Sequence, residues 1–134
     1  MSSSYLQYCP RTAILFSVKR IPAARGDASD LALCERFHHA IELIGRRWTG
    51  AIVYLLLKRR CRFADLRDAI PEITDRMLSD RLQELEREGI LTRDVVPASP
   101  VRVEYALTKK GRALASAIDA MAGWAERWVE PATA

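Results

Sequence analysis

The segment from residue 74 to residue 88 constrains the fold most, because it has the periodicity of one amphipathic helix. Leu78, Leu82 and Leu85 recur at three- and four-residue intervals and would form an apolar stripe. Gly89 follows at once and can end the helix in a left-handed conformation. The segment therefore predicts a helix that buries one face and leaves the other free. The free face would carry Arg76, Ser79, Asp80, Gln83 and Arg87.

The hydrophobic period changes after Gly89 from that of a helix to that of a strand. Residues 90–96 and 101–107 alternate apolar with polar side chains and are rich in β-branched residues. The residues between them, 97–100, include two prolines and a serine, which favour a turn. We expect the two segments to pair as an antiparallel hairpin.

Four other segments have helical periodicity. Residues 31–44, 48–57 and 63–70 precede the amphipathic segment, and residues 109–129 follow the hairpin. A basic connector, residues 58–62, leaves room for a very short strand. A short helix, a turn, an amphipathic helix and a hairpin, in this order, predict a winged helix-turn-helix. That fold is mainly α with a small β-hairpin, in the α+β class.

A winged helix-turn-helix places one helix in the major groove of DNA, which is about 12 Å wide. We expect residues 74–88 to be this recognition helix and residues 91–107 to be a wing on the flanking backbone or minor groove. Glutamine and arginine can read adenine and guanine by bidentate hydrogen bonds, and arginines can neutralise phosphates. An ordinary solvated helix face is the alternative interpretation. The predicted DNA-binding residues are Thr74, Arg76, Ser79, Asp80 and Gln83 on the helix, with Arg62, Arg93 and Arg102 near the wing.

Length and charge are compatible with that function. The chain has 134 residues, enough for one domain, which we expect over residues 31–130 after an N-terminal tail or extension over residues 1–30. The net charge of +4 is mildly basic and suits a nucleic-acid partner. Because 17 residues are acidic, any basic surface must come from the placement of arginines and lysines.

The motifs of other protein classes are absent from the sequence. We find no glycine-rich phosphate loop, no nucleophile elbow and no metal-ligand cluster, so we expect no enzyme activity, no cofactor and no metal. No apolar run approaches about 18 residues, so we expect no membrane span. A winged-helix protein-interaction module without DNA binding is the alternative function. Its recognition face would be acidic or apolar, whereas the face predicted here carries arginines.

The three cysteines, Cys9, Cys34 and Cys61, are too few for a disulfide scaffold, and their number is odd. We therefore expect a reducing, cytoplasmic setting. Cys34 is a candidate redox sensor, because the start of a helix can lower the pKa of a thiol. The alternative for Cys34 is a small buried residue or an inert thiol.

An apolar stripe runs along the last predicted helix and includes Ile118, Met121, Trp124 and Trp128. The stripe is too long for a small domain to cover alone, so we expect two copies to pair across a two-fold axis. Such a homodimer sets its recognition helices about 34 Å apart, one turn of DNA, and favours an inverted-repeat operator.

Four motifs of the sequence also resemble those of a known protein family. They are residues 44–49, 62–66, 77–90 and 101–108, with Gly111 shortly after. Together, in this order and spacing, they resemble the HxlR-type winged-helix transcriptional regulators of bacteria and archaea, over roughly residues 34 to 128. The resemblance implies a homodimeric, cytoplasmic regulator that binds double-stranded DNA and pairs through its terminal helices. It leaves open a small-molecule or oxidant effector.

Two positions depart from the pattern of that family. Many members have proline directly after the cysteine at the start of the first helix, whereas Cys34 is followed by Glu35. This departure argues against a family-style cysteine sensor at Cys34. The turn before the recognition helix often holds glycine, and here it holds Glu72. An acidic side chain at that position is expected to reduce the affinity for DNA.

Overall fold

The structure is a computed structural model that describes residues 32–132. The division of the chain into two units falls between Gly45 and Arg46. The predicted N-terminal tail or extension, residues 1–30, lies outside the described residues. The first described helix, α1, spans Glu35–Gly45, close to the predicted segment. It has no buried residue, and Phe37 and Ile41 expose more than half of their surfaces.

All other elements belong to the second unit. In chain order they are α2 (Thr49–Lys58), β1 (Cys61–Arg62), α3 (Phe63–Ala69), α4 (Asp75–Arg87), β2 (Leu91–Val96), β3 (Arg102–Leu107), α5 (Lys109–Arg112) and α6 (Ala115–Trp128). The order of α3, turn, α4 and hairpin is the predicted one. The fold is therefore the predicted winged helix-turn-helix, mainly α with a small antiparallel sheet.

The core lies between α2, α3, α4 and one face of the sheet. The leucines of the amphipathic stripe are its centre, since Leu78 and Leu85 are fully buried and Leu82 is 2% exposed. Burying a leucine side chain stabilises a fold by about 1.5–3 kcal/mol, so this stripe alone fixes which face of α4 turns inward. Other core side chains are Ile52, Val53, Leu56, Leu66, Ile70, Leu91, Tyr105, Leu107 and Ile118.

The sheet has three strands in the order β1-β3-β2, and both pairings are antiparallel. The hairpin pairs Leu91 with Leu107, which brings two buried leucines together at the base of the wing. The basic connector contributes the short strand β1, which pairs Cys61 with Tyr105. The wing is thus joined through β1 to the residues directly before α3.

The last predicted helix is interrupted, so the expectation of one continuous helix over residues 109–129 is wrong. Four residues form α5, and α6 begins only at Ala115. At the break the N–H of Leu114 donates to the carbonyl of Gly111, three residues back, at 3.1 Å. This tighter turn replaces a regular α-helical turn and separates α5 from α6.

Candidate nucleic-acid interface

Helix α4 has defined ends that fix which residues it presents. Thr74 caps it, because the backbone N–H of Met77 donates to the Thr74 hydroxyl oxygen at 3.2 Å. Gly89 follows with φ of +72°, the left-handed conformation predicted for the helix end. The cap uses the hydroxyl of Thr74 as an acceptor, which leaves its O–H proton available as a donor at the exposed helix start.

The outward face of α4 lies opposite the buried leucine stripe. Arg76, Asp80 and Gln83 are exposed, and Ser79 is half-buried beside them. These residues recur at three- and four-residue intervals, so one helix brings all four onto a single surface. Among the described residues, neither Arg76 nor Gln83 makes an ion pair or hydrogen bond through its side chain, so both remain free for a ligand.

The turn between α3 and α4 contains a backbone conformation that favours glycine. Glu72 has φ of +68°, and its side chain is exposed. This is the position where the resembled family often has glycine, so the structure explains that preference by backbone geometry. Holding a non-glycine residue in this conformation costs about 1–2 kcal/mol.

A groove separates the wing from the start of α3. It has a volume of about 430 Å³ and is lined by Arg62, Phe63, Ala64 and residues 98–103. Arg62 and Arg102 are exposed and lie on its two sides. Arg102 also lies 3.7 Å from Glu104, measured between its Nε and a carboxylate oxygen. The groove brings two of the predicted DNA-binding arginines together.

Arg93 is not among the residues that line this groove. It pairs with Tyr105 in the hairpin and is exposed on strand β2. The structure therefore places the predicted residues in three groups: the surface of α4, the groove, and Arg93 alone on the wing.

Local hydrogen bonding positions Arg62 at the start of α3. Its backbone N–H donates to the Asp65 carboxylate at 2.9 Å. This bond lowers the pKa of Asp65, and the guanidinium of Arg59 acts in the same direction. Asp65 therefore stays charged and fixes the backbone from which the Arg62 side chain projects.

Several of the other basic residues contact acidic residues of the same chain. Arg59 lies 3.4 Å from Asp65, and Arg60 lies 3.5 Å from Asp94. Arg46 lies 2.8 Å from Glu84, a pair that sequence reasoning missed because 38 positions separate the two residues. No local pattern signals such a contact.

The two described cysteines differ in state. Cys34 precedes α1, is half-buried and is disulfide-bonded. Cys61 is a buried free thiol whose pKa is raised by burial, which makes it a poor nucleophile. Within residues 32–132, no group of three or more acidic, histidine or cysteine side chains is arranged to hold a metal ion. No helix in that part of the chain is long and apolar enough to cross a membrane.

The fold and the exposed face of α4 define a winged helix-turn-helix protein. A family model described as HxlR-like helix-turn-helix matches residues 43–133. The chain therefore belongs to the HxlR-like helix-turn-helix family and is a transcriptional regulator of helix-turn-helix type.

Individual relatives support this assignment. The chain is 44% identical over 99 residues to the uncharacterized HTH-type transcriptional regulator YvaP of Bacillus subtilis, covering 74% of this chain and 92% of YvaP. It is also similar to the solved reduced form of the transcriptional regulator YodB of B. subtilis, with a TM-score of 0.67 and 39% identity over 76% of this chain and all of that one.

The oxidized form of the redox regulator HypR superposes with a TM-score of 0.68 and 35% identity, over 72% of this chain and 99% of that one. YodB has also been solved after diamide treatment and with a bound quinone. The present chain shares the fold of YodB and HypR.

Proposed function

We propose that this regulator acts by sequence-specific binding of double-stranded DNA, as a homodimer on an inverted-repeat operator. In this proposal α4 enters the major groove and the wing contacts the flanking backbone or minor groove. The observation that carries the proposal is the outward face of α4, where Arg76 and Gln83 are exposed on the same side of the helix and free of partners in the described chain.

The residue types on α4 suit the reading of base edges. The Gln83 amide can both donate and accept, as adenine requires, and the Arg76 guanidinium can donate twice to guanine. Asp80 is exposed between them and can accept from cytosine or orient an arginine. Thr74, at the helix start, can donate to a phosphate where the helix dipole favours negative charge.

The groove beside the wing suits a sugar-phosphate backbone. Arg62 and Arg102 supply positive charge on its two sides, and residues 97–101 between the strands carry no charged side chain. Arginines in this position can fix the position of the protein along the DNA and can supply salt-dependent affinity. The uncharged residues 97–101 between the strands can lie against the sugars. Arg93 is proposed as a further phosphate contact from the wing.

The terminal helix supports the proposed dimer. Met121, Trp124 and Trp128 of α6 are 63%, 56% and 72% exposed in the single chain. Large exposed apolar side chains grouped on one helix in this way are typical of a surface that is buried in an oligomer. A second copy of this chain across a two-fold axis is the proposed occupant.

An oxidant or an electrophilic small molecule is the proposed effector, and Cys34 is its proposed target in the cytoplasm. The support is the similarity to HypR, named a redox regulator, and to YodB, solved with a quinone. Cys34 directly precedes α1, where the helix start can favour a thiolate once the cysteine is reduced. A Cys34→Ser protein should lose the response of its DNA affinity to diamide; a response like that of the wild type would remove Cys34 from this role.

The experiment that tests the proposed function is binding of the purified protein to its own upstream promoter over a series of salt concentrations, with unrelated DNA as control. The expected result is preferential binding to the promoter, with the logarithm of affinity falling linearly with the logarithm of salt concentration. Equal and weak binding to both DNAs would contradict sequence-specific recognition. Absence of binding to either DNA would favour the protein-interaction alternative.

A further inference from the structure

Glu84 lies on the flank of α4, between its outward face and its buried stripe, and holds two arginines. One carboxylate oxygen lies 2.8 Å from Nη1 of Arg46, and the other lies 2.7 Å from Nη1 of Arg81. The Glu84 side chain is only 17% exposed, so solvent screens these contacts less than it screens an ordinary surface pair. Both oxygens of Glu84 are thus engaged by guanidinium groups.

Arg81 makes a second contact that reaches the same segment of chain. Its Nε donates to the main-chain carbonyl of Arg47 at 3.2 Å. Helix α4 therefore contacts the segment before α2 at two points: the side chain of Arg46 and the main-chain carbonyl of Arg47. We refer to Arg46, Arg81 and Glu84 as the clasp.

The segment that the clasp contacts, residues 46–48, has a backbone conformation that surrounding contacts must stabilise. Trp48 is left-handed, with φ of +75°, and the guanidinium carbon of Arg47 lies 4.7 Å from the centre of its ring. A bulky residue keeps such a conformation only when surrounding contacts determine it. The N–H of Thr49 donates to the carbonyl of Arg46 at 3.1 Å, which links the clasp to the first turn of α2.

The first turn of α2 is buried in the core. Thr49 is 1% exposed, and Ile52 and Val53 are fully buried. A link from α4 to this turn therefore ties the flank of the recognition helix to a buried part of the core, independently of the leucine stripe.

We infer that Glu84 is a positioning residue for DNA recognition, which acts through Arg46 and Arg81 to set the orientation of α4. This inference rests on the proposed function. The leucine stripe fixes which face is buried, but apolar contacts are not directional, so charge-assisted hydrogen bonds define the rotation of the helix more sharply. The clasp restrains the flank next to Gln83, whose bidentate contact with a base depends on the direction of its amide.

The test uses Glu84→Gln, which preserves shape and removes the charge that holds both arginines. The promoter affinity is expected to fall about tenfold, within the range for coupled neighbouring residues, while the affinity for unrelated DNA does not fall. The ratio of the two affinities is the decisive readout, because loss of a merely stabilising ion pair would lower the melting temperature and leave this ratio unchanged.

Asp119→Asn is the control for the change in charge. Asp119 is an exposed acid on α6, away from α4, and makes no ion pair within the described residues. Its replacement changes the net charge by the same amount, so it shifts the affinities for both DNAs together and leaves their ratio at the wild-type value.

Arg46→Met and the double variant with Glu84→Gln complete a thermodynamic cycle. The clasp predicts that the double variant loses no more promoter preference than the more damaging single variant. If Arg46 instead contacts a phosphate, Arg46→Met alone would weaken binding to both DNAs and reduce the salt slope by about 0.9, which would overturn the proposal.

An unchanged affinity ratio in Glu84→Gln, in a protein whose wild type prefers its promoter, would also overturn the proposal. A wild-type protein without any preference would be a different result, because it refutes sequence-specific recognition itself before any variant is compared.

Discussion

Gly111 lies directly against the main-chain carbonyl of Ile90, and a Cβ built at Gly111 would overlap that oxygen. The same carbonyl accepts a hydrogen bond from the N–H of Thr108 at 3.0 Å. The contact joins the start of the wing to the start of α5, so it holds the two ends of the hairpin at the core.

Gly111→Ala is expected to destabilise the protein by about 1–3 kcal/mol, because the backbone of Ile90 must move to admit the methyl group. Chemical unfolding measures this change in the free energy of unfolding. Gly45→Ala is the control, since an added Cβ there meets nothing within 4 Å. Equal unfolding midpoints for the two variants would show that the close contact at Gly111 does not require glycine for stability.

Glu72→Gly is expected to stabilise the protein by about 0.5–1 kcal/mol. Glycine relieves the left-handed strain at this position, and the greater freedom of the unfolded chain offsets part of the gain. Glu72→Ala is the matched control, because it removes the charge and keeps the strain. Thermal unfolding of both variants separates the two effects; stabilisation by alanine to the same extent would mean that charge rather than backbone geometry is responsible.

Asp65→Ala is expected to destabilise the protein by about 1 kcal/mol at neutral pH through loss of the cap on the Arg62 N–H. The pKa of Asp65 is lowered in the folded protein below its ordinary value of 3.8. Its contribution is therefore fully present above that value and is lost as the pH falls through the folded pKa. Urea unfolding at pH 7 and near pH 3 should show the gap between variant and wild type shrinking in acid; a constant gap would contradict this account.

Trp124→Asp is expected to weaken self-association about 30-fold or more, because it places a charge on the exposed apolar surface of α6. Sedimentation equilibrium at micromolar concentration measures the effect. Asp119→Asn, five residues earlier and roughly opposite on the helix, should leave association unchanged. A wild-type protein that sediments as a monomer would refute the proposed dimer.

Helix α4 and the hairpin are predictable from the sequence, because their signals are local. Leu78, Leu82 and Leu85 repeat at the helical period, and the left-handed Gly89 ends the segment as expected. The predicted outward residues Arg76 and Gln83 are exposed because the same period that buries the leucines turns them away.

Features that depend on long-range contacts are not predictable in this way. The close contact of Gly111 with Ile90 joins residues 21 positions apart, and α5 ends one residue after Gly111, whereas the side-chain pattern over residues 109–129 is continuous. The left-handed Trp48 and the pairing of Arg46 with Glu84 likewise depend on elements that meet only in the folded domain. The local pattern of arginines before α2 is equally compatible with contacts to phosphate.

The measurement that tests the central claim most directly is the promoter affinity of Gln83→Ala, compared with its affinity for unrelated DNA. Gln83 is uncharged and exposed, so its loss changes neither the net charge nor the core. If α4 reads base edges, promoter affinity falls by a factor equivalent to about 1–3 kcal/mol, while binding to unrelated DNA and the melting temperature stay the same. An unchanged promoter affinity would contradict the assignment of this face of α4 as the surface that reads sequence.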